Sequence, residues 1–150
     1  MTQTPRAYLD TNVFIAAFET IGDHQGSAWS LLQAVEDGRL IGVTSELTLA
    51  ELLVKPFERG AMDLAEAYDA MLTPSETLMV CAVDRRLLVE AARLRSSRPG
   101  LKLPDAIHVA TAARTGCDVM ISDDRGLAGP AMSRIPLGAD CLVKVLGAAR

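Results

Sequence analysis

Short apolar runs of strand length alternate with segments of helical periodicity along this chain of 150 residues. The predicted strands are 7–9, 40–43, 77–83, 119–121 and 141–146. The predicted helices are about 13–18, 27–36, 45–56, 61–72, 84–95 and 104–115, with a short helical turn at 124–127. Because strands and helices alternate, we expect parallel strands joined by right-handed crossovers. The sequence therefore predicts an α/β fold in which a central parallel β-sheet is flanked by α-helices.

Individual residues mark some of the helix boundaries. Thr44 and Ser45 can cap the helix that follows them, and Asp84 can cap the helix after the third predicted strand. Pro56 is predicted to end the first of these two helices, because proline disrupts the hydrogen bonding of a helix interior.

The length and composition predict one domain that covers residues 1–150. The chain is 49% hydrophobic, which is enough for a core that needs no disulfide or metal to hold it together. Cys81, Cys117 and Cys141 are odd in number and lie among apolar residues, so we expect reduced thiols and a cytoplasmic location. No apolar run approaches the roughly 20 residues of a membrane span, so no membrane partner is expected.

Acidic side chains stand where strands end. Asp10 follows the first predicted strand, and Asp123 and Asp124 follow the fourth. Asp105 lies at the start of the helix before that fourth strand, and Glu51 lies in a largely apolar helical segment. Each has an ordinary alternative: Asp10 and Asp105 as helix caps, and Asp123 and Asp124 as turn residues. Glu51 is harder to explain in this way, because a buried carboxylate needs a partner.

Acids that converge at the carboxyl edge of a parallel sheet lie where such folds bind ligands. Their charges would repel one another and raise some of their pKa values unless a cation neutralised them. Oxygen-only ligands favour a hard ion such as Mg²⁺ or Mn²⁺ over zinc. Metal-dependent hydrolysis of a phosphodiester is chemistry that such a site supports.

Four short segments carry these acids in order. They read YLDTNVFI at 8–15, TSELTLAEL at 44–52, LKLPDAIHVATA at 101–112 and MISDDRGL at 120–127. Over about residues 7–146, they resemble the motifs of the PIN domain and, within it, of the VapC-like toxins of bacterial type II toxin–antitoxin pairs. The third segment is the most specific, because it resembles the family's D-A-x-H-x-A-T-A helix start.

The resemblance implies that Asp10, Glu51 and Asp105 are catalytic, metal-binding acids. The fourth acid of the family falls on Asp124. Asp123 stands where the family more usually has a neutral or basic residue, so the fourth ligand is left open between these two neighbours.

The resemblance also implies an endoribonuclease that uses Mg²⁺ or Mn²⁺ to hydrolyse RNA, forms a homodimer and is inhibited by a cognate antitoxin. Asn12 and Ser122 lie next to the implied ligands and are predicted to orient them. His108, three residues after Asp105, is predicted to be a packed side chain that hydrogen-bonds to the backbone rather than a ligand or base.

Three other functions are weighed against this one. A PIN-domain nuclease of RNA processing would have no antitoxin, and a catalytically silent PIN-like module would only bind. A phosphatase or phosphotransferase is disfavoured, because such enzymes generally need a second acid two residues after the first, and here Asn12 follows Asp10 at that position.

The net charge of −4 argues against binding of nucleic acid through bulk positive charge. One segment has the opposite balance, because residues 85–102 hold six basic residues and one acid, for a net charge of +5. This segment is either a solvated helix face or a contact surface for the RNA backbone. Its basic residues are Arg85, Arg86, Arg93, Arg95, Arg98 and Lys102.

Overall fold

Strands and helices alternate through most of the chain in a computed structural model that describes residues 3–127 and 132–148. The first half contains β1 (Arg6–Leu9), α1 (Thr11–Glu19), α2 (Asp23–Glu36), β2 (Ile41–Ser45), α3 (Glu46–Arg59) and α4 (Met62–Met71). The second half contains β3 (Leu78–Cys81), α5 (Arg85–Ser97), α6 (Leu103–Arg114), β4 (Val119–Ile121), a 3₁₀ turn (Arg125–Leu127), β5 (Ser133–Ile135) and α7 (Cys141–Leu146).

The strands form one parallel sheet in the order β3-β2-β1-β4-β5. The chain builds outward from β1 through β2 to β3, and then crosses to the other side of β1 to add β4 and β5. The strand order therefore reverses at β1, and in open α/β sheets the crevice at such a point is where ligands bind. The predicted central parallel sheet is confirmed.

Side chains of β1 alternate between two cores, so the sheet is covered on both faces. Ala7 and Leu9 pack with residues of α1, α2 and α7 on one face. Tyr8 points to the other face and packs with Val109 and Ala112 of α6. The resulting helix–sheet–helix layering confirms the predicted flanking helices.

Two of the predicted helix caps are confirmed by hydrogen bonds. The Ser45 hydroxyl accepts a bond from the Leu47 amide at 3.0 Å, and the Asp84 carboxylate accepts one from the Leu87 amide at 2.8 Å. Each bond satisfies an amide that the first turn of a helix leaves without a partner.

The prediction that Pro56 ends α3 is wrong. The helix continues to Arg59 and ends at Gly60, which adopts a left-handed conformation with φ of 66°. Pro56 itself is buried, and its carbonyl accepts the Ala61 amide at 2.8 Å. A glycine that adopts positive φ without steric cost ends this helix more effectively than the proline near its last turn.

The predicted strand at 141–146 is also wrong, because these residues form α7. Cys141 and Val145 are both buried one turn apart, and Lys144 forms an ion pair with Asp140 at 2.8 Å. Both relations have helical spacing. The fifth strand is instead Ser133–Ile135, which is three residues long and pairs with β4.

The three cysteines are free thiols, as predicted. No helix in the part of the chain that the structure describes combines the length and the apolar character needed to cross a bilayer.

Gly42 lies at the tightest point of the packing around β2. A Cβ at this position would lie 3.0 Å from Leu78 Cδ1, 3.1 Å from Val35 Cγ2 and 3.2 Å from Leu9 Cδ1. We predict that Gly42→Ala lowers the free energy of unfolding by about 1–3 kcal/mol, because overpacking forces core side chains out of their rotamers. Urea denaturation measures this loss.

Gly26 is the matched control for that substitution. It lies in α2, where a Cβ would meet nothing within 4 Å. Gly26→Ala should raise the free energy of unfolding by roughly 0.5–1 kcal/mol, because alanine loses less backbone entropy in a helix. Equal stability of Gly42→Ala and the unmodified protein would contradict the described packing.

Candidate functional site

Asp10 lies where β1 passes into α1, and it is only 5% exposed. Its Oδ1 accepts a hydrogen bond from the Thr11 amide at 2.7 Å, which makes it the cap of α1. Its Oδ2 accepts a hydrogen bond from the Ser122 hydroxyl at 2.6 Å and a longer one, at 3.4 Å, from the side-chain amide of Asn12. Burial raises the pKa of Asp10, and the Ser122 bond opposes that shift.

Glu51 lies in the second turn of α3 with its side chain about one-third exposed, at 34%. Its Oε1 accepts hydrogen bonds from the Thr11 hydroxyl at 2.8 Å and from His108 Nε2 at 2.7 Å. Burial alone would raise the pKa of Glu51, but the hydrogen bonds from His108 and Thr11 lower it overall. These two side chains are the partners that a carboxylate in an apolar segment requires.

The prediction that His108 bonds to the backbone is wrong. Its side chain is 2% exposed, and both ring nitrogens contact side chains. Nε2 bonds to Glu51, and Nδ1 lies 2.5 Å from the Tyr8 hydroxyl. The helix α6 thus carries Asp105 at its start and, one turn later, a histidine that contacts another of the predicted acids.

Asp105 and Asp124 face a common cavity of about 410 Å³. Burial raises the pKa of Asp105, and the negative charges of Asp124, Asp10 and Glu51 raise it further. These charges act on Asp105 because the four predicted acids lie near one another at the carboxyl edge of the sheet.

Asp123 and Asp124 differ in what their carboxylates contact. Asp123 accepts a bond from the Leu137 amide at 3.0 Å and lies 3.3 Å from His24 Nε2, so contacts outside the cavity occupy it. Asp124 lines the cavity, and its Oδ1 accepts only a local bond, from the Gly126 amide at 2.8 Å. The geometry therefore favours Asp124 as the fourth acid.

Two carboxyls of this group carry negative charge that no cationic side chain neutralises. Within residues 3–127 and 132–148, no lysine or arginine forms an ion pair with Asp10 or Asp105. An all-oxygen donor set with uncompensated charge fits a hard divalent cation. In the same part of the chain, no three acidic, histidine or cysteine side chains lie close enough together to enclose an ion as they stand.

Comparison with known proteins assigns the family. The sequence model of the PIN domain matches residues 7–131. The chain belongs to the PIN domain family. This is a family of nucleases that generally use divalent metal ions. No curated protein matches the chain significantly in sequence.

Three solved structures resemble this PIN domain. A toxin–antitoxin complex from Klebsiella pneumoniae is 25% identical, with a TM-score of 0.61 over 84% of this chain and 94% of that chain. VapC20 of Mycobacterium tuberculosis, a toxin that cleaves the Sarcin–Ricin loop, is 20% identical, with a TM-score of 0.66 over 79% and 90%. VapBC2 of Rickettsia felis, bound to a promoter DNA fragment, is 16% identical, with a TM-score of 0.66 over 88% and 98%.

The end of the basic segment lies beside the acids of the PIN domain. Arg98 and Lys102 line the cavity that Asp105 and Asp124 share. The loop that carries them is held in place, because Arg98 donates to the Gly126 carbonyl at 2.8 Å. In the same way, Arg95 Nε donates to the Leu101 carbonyl at 2.9 Å.

The start of the basic segment lies elsewhere. Asp84, directly before α5, contacts Arg114 at 3.1 Å, so α5 begins near the end of α6. About nine residues of helix, or roughly 14 Å, separate that end from Asp105. The structure therefore does not bring Arg85 and Arg86 to the acids. Arg93 is exposed on α5 between the two ends.

The sequence prediction missed Tyr8 and His108 as residues that act on the site. Tyr8 is an apolar-looking member of a buried strand, and nothing in its spacing shows that its hydroxyl reaches a histidine 100 positions away. The spacing of His108 from Asp105 was the only available signal. Thr11 was equally ambiguous, because a threonine at a helix start is often there for capping alone.

The raised pKa of Asp105 predicts how the stability of the metal-free protein depends on pH. Between the unfolded and folded pKa values the native state binds more protons, so stability falls as pH rises through this window. Asp105→Asn removes the carboxyl group and with it this fall in stability at higher pH. We expect the variant to melt at a higher temperature than the unmodified protein at pH 7–8, with the gain vanishing below about pH 4.

Asp140→Asn is the control of opposite sign. Lys144 lowers the pKa of Asp140 by a hydrogen bond and by its charge, so this carboxylate contributes stability above its unfolded pKa. The variant should melt at a lower temperature than the unmodified protein at neutral pH, and the loss should disappear in acid. A lower melting temperature for Asp105→Asn at pH 7–8 would contradict the described charge repulsion.

Proposed function

We propose that this PIN domain is a divalent-metal-dependent endoribonuclease that hydrolyses RNA phosphodiester bonds and serves as the toxin of a type II toxin–antitoxin pair. The observation that carries the proposal is the group of acids at the point where the strand order reverses. The charges of the neighbouring acids raise the pKa of Asp105. Within residues 3–127 and 132–148, no lysine or arginine forms an ion pair with Asp10 or Asp105.

Asp10, Glu51, Asp105 and Asp124 would hold Mg²⁺ or Mn²⁺. Such an ion supplies a more acidic bound water and charge neutralisation at the phosphate. The chain's own contribution is to fix the carboxylates before the ion arrives. Ser122 does this for Asp10.

Other polar side chains at the site act in the same way. The Thr11 amide holds Asp10, and its hydroxyl holds Glu51, so one residue links two of the acids. Ser122 also accepts the Asp124 amide at 2.9 Å, so its hydroxyl joins Asp10 to the segment that carries Asp124. Asn12 adds a longer bond to Asp10. Carboxylates held by such bonds lose little freedom when they bind a cation.

Positive charge lies directly beside the acids, which favours a nucleic-acid substrate. Arg98 and Lys102 face the cavity of Asp105 and Asp124, where they can contact phosphates on either side of the bond to be cleaved. The VapC20 neighbour is described as a toxin that cleaves the Sarcin–Ricin loop, a likeness that supports RNA over other phosphodiesters.

The proposed partners follow from the solved neighbours. The Klebsiella pneumoniae structure is a toxin–antitoxin complex, and the Rickettsia felis structure is a VapBC pair on promoter DNA. By this likeness we propose a cognate antitoxin as inhibitor. A homodimer, which the resemblance to VapC-like toxins implies, is proposed as the assembled form. The cytoplasmic location indicated by the free thiols stays a prediction.

Metal dependence of RNA cleavage tests the central proposal. The purified chain should cleave RNA with Mg²⁺ or Mn²⁺ and stop when EDTA is added. Asp10→Asn and Asp124→Asn should each reduce cleavage by about 100-fold or more, because each loses an oxygen charge that the ion needs. Mn²⁺ should raise the melting temperature of the unmodified chain, since it binds only the folded state.

Asp123→Asn is the matched control for Asp124→Asn, because the Asp123 carboxylate accepts the Leu137 amide and contacts His24 outside the cavity. It should keep most of the activity. The opposite ranking of these neighbours would move the fourth ligand to Asp123. If the unmodified chain neither cleaves RNA nor binds Mn²⁺, the catalytically silent module becomes the correct alternative.

The salt dependence of RNA binding tests the role of the basic cavity wall. With cleavage blocked by Asp10→Asn, the further change Lys102→Ala should weaken RNA binding. It should also reduce the slope of log K against log salt by about 0.7, the value for one phosphate contact on a single strand. Filter binding at several salt concentrations measures both.

Arg85→Ala is the comparison, because this substitution removes one positive charge from the end of the basic segment that lies far from the acids. It should leave the slope nearly unchanged. Equal losses from Arg85→Ala and Lys102→Ala would show that RNA contacts the whole basic segment.

A further inference from the structure

A line of buried hydrogen bonds runs from the core of the sheet to one of the proposed metal ligands. It begins at the Tyr8 hydroxyl on β1, passes through both ring nitrogens of His108 on α6, and ends at Oε1 of Glu51 on α3. Tyr8 is fully buried and His108 is 2% exposed, so only the Glu51 end reaches the site.

The direction of each bond follows from the donors available. At neutral pH a tyrosine hydroxyl carries its proton and can donate it. The Glu51 carboxylate only accepts, so His108 Nε2 must donate. With its proton on Nε2, a neutral imidazole accepts at Nδ1, and the Tyr8 hydroxyl donates there. Tyr8 therefore selects the histidine tautomer that suits Glu51.

The two bonds to Glu51 leave one of its oxygens available. His108 and Thr11 both donate to Oε1, and no donor in the described part of the chain contacts Oε2. A glutamate side chain has three rotatable bonds, and a ligand that is free to move must be ordered when a cation binds. Here two donors on different elements, α6 and the start of α1, fix the carboxylate beforehand.

We propose that His108 is a positioning residue of the metal site, held in its tautomer by Tyr8, which fixes the Glu51 carboxylate so that Oε2 is presented to a divalent cation. The inference rests on the proposed function, because it assigns Glu51 as a ligand. It goes further by giving two residues outside the acid set a part in cation affinity. A histidine that only fills the core would affect folding and leave that affinity unchanged.

The experiment measures Mn²⁺ affinity of the full chain by titration calorimetry and by the electron paramagnetic resonance signal of free Mn²⁺. The key variant is Tyr8→Phe/His108→Leu, which removes both partners of the buried bond and so leaves no orphaned hydroxyl in the core. We expect its Mn²⁺ affinity to fall about 10- to 100-fold, the usual effect of losing a group that orients a metal ligand.

Two single substitutions distinguish a side chain that orients Glu51 from one that only fills space in the core. In His108→Gln, the side-chain amide can place a donor near the position of Nε2, so affinity should return most of the way to that of the unmodified protein. Tyr8→Phe keeps His108 but no longer selects its tautomer, so its affinity should fall between those of the unmodified protein and the double variant.

Tyr68→Phe is the matched control. The Tyr68 hydroxyl is also buried and also donates to a carboxylate, that of Glu19, but at the other end of α1 from Asp10. This variant should lose stability and keep its Mn²⁺ affinity. Circular dichroism establishes that each variant is folded, and if the double variant is not, Tyr8→Phe and His108→Gln decide the question.

The outcomes distinguish this inference from the function on which it rests. If the unmodified chain binds Mn²⁺ and cleaves RNA, and Tyr8→Phe/His108→Leu or Tyr8→Phe binds Mn²⁺ equally tightly, the positioning role is overturned and the nuclease stands. If the unmodified chain binds no Mn²⁺, the metal site itself is overturned.

Discussion

The buried carboxylate of Asp10 is the point on which the architecture and the site both depend. One oxygen caps α1, and the other joins β1 to the segment after β4 through Ser122. The same group therefore holds the sheet centre together and supplies negative charge at its carboxyl edge. Burial of this charge costs free energy, as the raised pKa of Asp10 shows, and that cost makes the position attractive to a cation.

The distribution of charge is more informative than its total. The net charge of −4 combines a cluster of acids at the sheet edge with a basic segment that ends beside it. Arg98 and Lys102 lie on the wall of the cavity that two of the acids share, so opposite charges meet in one place. A polyanion that approaches this cavity meets attraction from its wall, and a cation within it would remove the repulsion from the acids.

Much of the fold was predictable because it depends on local patterns. Strand-length apolar runs, and caps such as Ser45 and Asp84, are encoded within a few residues of where they act. The errors arose where contacts between residues distant in sequence determine the secondary structure. Residues 141–146 are apolar enough for a strand and become a helix that packs on α2, and the true β5 is too short to show a pattern. The acids were predictable at strand ends, whereas the link from Tyr8 to His108 joins residues 100 positions apart.

The proposed ligands lie far apart in the chain, from Asp10 to Asp124, and this separation matters while the chain is being synthesised. β1 needs β4 as its partner on one side, and the Ile121 carbonyl of β4 accepts a hydrogen bond from the Asp10 backbone amide. Such a contact cannot form before both of its residues have been synthesised, and pairing over so long a separation is slow. A nascent chain that stops before Asp124 therefore lacks one of the four proposed ligands, so the site stays incomplete until the segment after β4 has been made.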